Sequence, residues 1–65
     1  MDKESIKALI RERGFTYETL GAEIGITAQA VSEIVAGRTT SSTARYSIAK
    51  ALGVDVVDIW PARAA

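Results

Sequence analysis

The chain has no cysteine and no histidine, and among its 65 residues there is one proline, one phenylalanine, one tryptophan and one methionine. Without cysteine there is neither a disulfide staple nor a thiolate metal site, and the composition fits a reducing compartment. Without histidine the commonest metal ligand and general base is missing. The remaining carboxylates and hydroxyls are scattered over separate predicted helices with no positioned base, so the expectation is no enzyme, no metal and no cofactor. No hydrophobic run approaches the length of a membrane span. The opening MDKESIKALIRERG mixes charges and lacks a signal-peptide core. A cytoplasmic protein without a membrane partner is expected. An excess of one charge sign is also missing: eight Lys and Arg balance eight Asp and Glu, a poor electrostatic prior for a nucleic-acid binder.

What is present is apolar. The hydrophobic fraction of 48% is enough for a folded core and argues against disorder. A chain this short is marginal alone. One domain over residues 1–65 is expected, with a purely apolar core that a partner chain would extend. The charges are also unevenly placed. Glu18, Glu23 and Glu33 make residues 16–37 acidic, whereas Arg38, Arg45 and Lys50 leave 38–53 basic with no acid.

The stretch Thr16–Gly37, TYETLGAEIGITAQAVSEIVAG, organises the rest. Leu20 and Ile24 lie one helical turn apart. Gly25-Ile26 interrupts the pattern and Thr27 restarts it as an N-cap. Val31, Ile34 and Val35 mark the apolar side of the next helix. Two helices crossing steeply with almost no loop need a small residue at the crossing, which is Gly21. A mid-helix glycine costs roughly 1 kcal/mol against alanine, so close packing is the expected compensation. Gly25 supplies the turn with positive φ, and Ile26 plugs the core from it. This is the layout of a helix-turn-helix unit over 16–37, whose second helix enters the DNA major groove. From spacing alone, an ordinary αα-hairpin in a small bundle remains open.

Around this unit the pattern predicts three more helices. Asp2 or Ser5 caps the first, with Ile6, Leu9 and Ile10 inside, Lys7, Arg11 and Glu12 outside and Gly14 closing it; it reads as scaffold only. Phe15 is a core anchor. Thr16 caps the second helix, and the hairpin's second helix runs from Ala28 to about Ala36. Thr43–Leu52 reads as a fourth helix, with Tyr46, Ile48, Ala49 and Leu52 as apolar contacts, Arg45 and Lys50 exposed and Gly53 closing it. Asp55 caps a last turn through Val56, Val57 and Ile59, stopped by Trp60-Pro61. Trp60 either seals the core or sits in a dimer contact. The expected class is all-α, five short helices.

In the DNA reading Thr27, Ala28, Gln29 and Ser32 face the groove. Gln29 is the best base reader, because its amide pairs bidentately with adenine N6 and N7. Ala28 or Ala30 meets a thymine methyl, and Ser32 bonds a base edge or a phosphate. Glu33 either accepts from cytosine N4 or is simply solvated. Tyr17 either packs on Phe15 or is simply exposed, or it donates its hydroxyl to a phosphate beside a helix N-terminus. The polar loop GRTTSST after the groove-facing helix reads as a phosphate cradle, with Arg38 as the charge and Thr39, Thr40 and Ser41 as donors. Arg45 lies near a helix start, within reach of a phosphate.

At Leu20, Gly21, Gly25-Ile26-Thr27, Val31, Ile34 and Gly37 the chain resembles the Cro/phage-repressor helix-turn-helix superfamily. Its ending, IAKALGVDVVDIWPARAA, is similar to that of the Ner-like branch of small phage regulators, where alanine–leucine–glycine is followed by isoleucine–tryptophan–proline. The likeness covers about residues 5–63. It implies a lambda-repressor-like domain that binds operator DNA and regulates transcription. It puts the groove-facing positions on Thr27, Ala28, Gln29 and Ser32, and the phosphate positions on Thr16, Tyr17, Arg38 and the hydroxyls after it. The chain departs from the pattern at Gly21, where alanine is usual, at Tyr17, where glutamine is frequent, and after Gly37, where a proline is common.

The expected function is sequence-specific binding of double-stranded DNA by a prophage-type repressor that occludes polymerase. A homodimer on a two-fold operator is expected, and no small-molecule ligand. The rival is a protein-interaction module of the same fold, antitoxin- or adaptor-like, which the zero net charge and the acidic hairpin support.

Overall fold

The computed structural model describes residues 1–39 and 41–61. They form five helices: α1 (Lys3–Glu12), α2 (Tyr17–Ile24), α3 (Ala28–Val35), α4 (Ser42–Leu52) and α5 (Val56–Ile59). Short-range hydrogen bonds set the boundaries. Asp2 caps α1, its carboxylate accepting from the Ser5 amide at 2.8 Å. Thr16 caps α2 and Thr27 caps α3. The fourth helix begins one residue before its expected start, because the Ser41 hydroxyl accepts from the Ala44 amide at 3.3 Å and makes Ser41 the cap. Asp55 precedes α5 as expected, and Trp60 follows it with its amide donating to the Val56 carbonyl at 2.8 Å.

Every helix contributes to one core. It comprises Ile6 and Ile10 of α1, Leu20 of α2, Val31, Ile34 and Val35 of α3, Ile48, Ala49 and Leu52 of α4, and Ile59 of α5. No polar or charged side chain among the described residues is buried there. Burial of these aliphatic groups is the main term favouring the fold, at roughly 1.5–3 kcal/mol per fully buried Val, Leu or Ile side chain before chain entropy is opposed to it. Leu9, Phe15, Tyr17, Ile24, Ile26 and Trp60 are half-buried and pack against this centre.

Two expectations for α4 fail. Tyr46 is not a core contact but 59% exposed. It lies two residues before Ile48, so it points about 200° round the helix from it. Arg45 is not an exposed residue but half-buried. It stands one turn before Ile48, on the same side, and its guanidinium lies over the Trp60 ring, 5.2 Å from the centroid.

The α2–α3 crossing is as tight as the glycine spacing requires. A Cβ built on Gly21 would lie 2.5 Å from the Ile26 carbonyl oxygen and 3.1 Å from the Thr27 carbonyl carbon. Gly25 turns the chain at φ +85°. The Ile26 amide then donates to the Gly21 carbonyl at 2.8 Å, which closes the turn against the residue that makes room for it.

Candidate nucleic-acid interface

The candidate interface is built around α3. Val31, Ile34 and Val35 are buried, which fixes the helix by one side. The opposite side carries Gln29, Ser32 and Ala36, all exposed, with Ala28 and Glu33 half-buried at its margins. Thr27 is exposed at the start of the helix, and its hydroxyl oxygen accepts from the Ala30 amide at 3.0 Å. That bond uses an acceptor lone pair and leaves the O–H as a donor. Ala30 is half-buried.

Two flanks border this face. On one, Thr16 and Tyr17 open α2. Thr16 and Thr19 form a reciprocal box: the Thr16 hydroxyl accepts from the Thr19 amide at 3.1 Å, and the Thr19 hydroxyl accepts from the Thr16 amide at 2.8 Å. Sequence reasoning missed Thr19. The signal was there, since the third residue after a cap is where a reciprocal partner sits, though Glu or Gln is the usual choice. Tyr17 is half-buried and packs against the core. Burial, and then the nearby Glu4 carboxylate, push its phenol above the ordinary value. It is therefore a neutral donor at physiological pH.

On the other flank the chain leaves α3 through Ala36 and Gly37, with Gly37 at φ +80°. The Arg38 amide donates back to the Glu33 carbonyl at 2.9 Å and the Gly37 amide to Ile34 at 3.1 Å. This closure satisfies the last helical carbonyls and anchors the backbone of Arg38, whose side chain is exposed. Thr39 is exposed beside it. Thr40 lies outside the described residues. The Ser41 hydroxyl oxygen accepts from the Ala44 amide as the α4 cap, which leaves its O–H as a donor.

The structure brings some of the predicted residues together and leaves others apart. Tyr17, Ser32 and Arg38 line one hollow of about 230 Å³ beside α3. Lys3 and Lys7 of α1 line it too, as do Glu4 and Glu33. The sequence reading had placed none of these α1 residues near the interface. Arg45 is not on this hollow; its Nε is buried without a hydrogen-bond partner among the described residues.

Two short helices joined by a glycine turn, the second held by its apolar side with its polar side outward, define a helix-turn-helix DNA-binding domain. A family model described as winged helix-turn-helix DNA-binding matches residues 1–64, and the chain belongs to that family. No curated protein and no solved structure matches the chain. The family description includes a wing, but no strand occurs among the described residues. The position after α3 is taken by a turn and then by α4. No helix of the described residues is long and apolar enough to cross a membrane.

Proposed function

We propose that the chain is one domain that binds double-stranded DNA sequence-specifically and regulates transcription, as a non-enzymatic, prophage-type repressor acting by operator occlusion. The observation that carries this reading is the exposed polar face of α3, Thr27–Gln29–Ser32, standing opposite a buried Val31–Ile34–Val35 side. In it Gln29 reads adenine through its amide, Ala28 lies against a thymine methyl, and Thr27 and Ser32 bond base edges or adjacent phosphates. Thr16, Tyr17, Arg38, Thr39, Thr40 and Arg45 supply the backbone contacts. Arg38 is the strongest of these because it is exposed with an anchored main chain. Arg45, stacked on Trp60, is the least free. The resemblance to the Cro-like phage regulators supports repression, and a homodimer would double the contact area of a small module.

Selection of bound fragments from a random duplex pool tests this directly, since a sequence-specific binder enriches a motif. Against that motif, Gln29→Ala should lose about 1–3 kcal/mol of discrimination at one base position and little elsewhere. Equal loss on every sequence would remove Gln29 from the reading role.

The second reading is a protein-interaction module. It rests on the zero net charge and on Glu18, Glu23 and Glu33 within the hairpin. Duplex binding at low ionic strength that weakens with salt supports the DNA reading. No such binding favours the module.

A further inference from the structure

The first helix reads as scaffold, yet its polar side carries Lys3, Lys7 and Arg11 at intervals of four residues. Residues four apart stack on one face of a helix, so α1 bears a cationic ridge. The fold brings the front of this ridge to the groove-facing helix. Lys3 and Lys7 line the same hollow as Arg38, which arrives from the turn after α3, and as Tyr17 and Ser32, which arrive from α2 and α3. Three cations and two neutral donors from four segments therefore surround one concavity at the edge of the α3 face.

We propose that Lys3 and Lys7 form, with Arg38, Tyr17 and Ser32, a clamp for the sugar-phosphate backbone of the duplex that α3 reads. This deepens the DNA-binding reading and rests on it. The chemistry of the donor set selects an oxyanion: ammonium and guanidinium groups supply charge, and the Tyr17 and Ser32 hydroxyls supply directed hydrogen bonds. Position selects the source, because a strand lying against the α3 face passes its phosphates along the rim of the groove, where this hollow opens. The phenol is protonated at neutral pH and so donates to a phosphate instead of repelling it. Glu4 and Glu33 on the same wall oppose the anion. They hold the local charge to a small positive excess, which disfavours tight binding away from a matched site.

The test is a salt titration of binding to a short mixed-sequence duplex, comparing the full chain with Lys3→Gln/Lys7→Gln, with Glu4→Gln and with Lys50→Gln. Lys50 is exposed on α4 and lines none of this hollow. Each lost phosphate contact lowers the slope of log affinity against log salt by about 0.9. The double variant should therefore lose nearly two from the slope, and between 50 and 200 mM salt its affinity should fall roughly tenfold less than that of the unaltered chain. Glu4→Gln should tighten binding on any sequence, and Lys50→Gln should leave the slope alone. If the unaltered chain binds with salt dependence but the double variant keeps its slope, or if Lys50→Gln changes the slope as much, the clamp is wrong while the DNA reading stands. If the unaltered chain shows no salt-dependent duplex binding, both are wrong. Helical circular dichroism matching the unaltered chain confirms that these exposed substitutions leave the fold in place.

Discussion

Gly21 has no room for a methyl group. Helix propensity favours alanine there by about 1 kcal/mol, and alanine is what the Cro-like pattern usually carries. Here a Cβ would meet the Ile26 carbonyl at 2.5 Å, and that oxygen belongs to a backbone pinned by its neighbours. Gly21→Ala should therefore destabilise the fold, by about 1–3 kcal/mol in the manner of overpacking, read as a lower urea midpoint. A raised midpoint would mean that the turn can shift outward without cost. Arg45 is the second informative residue. Its guanidinium lies over Trp60, but its Nε is buried and unpartnered among the described residues. Losing the stacking costs about 0.5–1 kcal/mol, while removing an unsatisfied polar group returns a comparable amount. Arg45→Met, which keeps the aliphatic stem, should leave the thermal midpoint nearly unchanged, and Arg45→Gly should not.

Among the elements, α3 carries the proposed reading with only eight residues. Eight residues make a rod of about 12 Å at 1.5 Å per residue. Its stability comes from its two ends and its inner side. Thr27→Ala removes the acceptor for the Ala30 amide and should cost about 1 kcal/mol, with Thr27→Ser retaining most of it. Ile34→Ala opens the inner side, where Ile34 is 4% exposed, and should cost about 2–5 kcal/mol of folding stability. It should weaken binding alike on all duplexes, unlike Gln29→Ala. The first helix adds a pH signature. Hydrogen bonding from Ser5, its amide first, holds the Asp2 carboxyl below its ordinary value of 3.8. The folded-state pKa is thus lower than the unfolded one. The cap contributes fully above the unfolded value and is lost as pH falls through the lowered one. The gap in urea midpoint between the unaltered chain and Asp2→Ala should accordingly be widest at neutral pH and close on acidification.

At the scale of the whole molecule, zero net charge conceals a division. Glu18 and Glu23 lie within the hairpin, whereas Lys3, Lys7 and Arg38 line one hollow beside α3. Electrostatic attraction to a duplex is then local to one side, and the salt slope should report a few phosphates rather than many. A rod of eight residues spans only about three to four base-pair steps of 3.4 Å. The proposed dimer would read two such half-sites, with centres separated by about one helical turn or a multiple of it. Fragment selection should return a palindrome with that spacing, and sedimentation of the complex should give two protomers per duplex. A single unrepeated motif bound by one protomer would argue against the two-fold arrangement.

What could be read from the linear chain was whatever is decided within four or five residues. The caps at Thr16, Thr27 and Asp55, the turn at Gly25, the stop at Gly37 and the buried stripe of Val31, Ile34 and Val35 all depend on neighbours along the helix. Those interactions have the same geometry in any context. Gly21 was readable for the same reason, since its contact is only five residues away. What tertiary packing alone decided was convergence. Arg45 meets Trp60 across fifteen residues, and Tyr46 loses its place inside because the helix is rotated to bury Ile48 and Leu52. Lys3 and Lys7 reach the hollow beside Ser32 and Arg38 only because α1 packs alongside α3. Periodicity says which side of a helix faces inward, but not which other helix lies beside its polar side. That is settled by how five apolar faces share a single core.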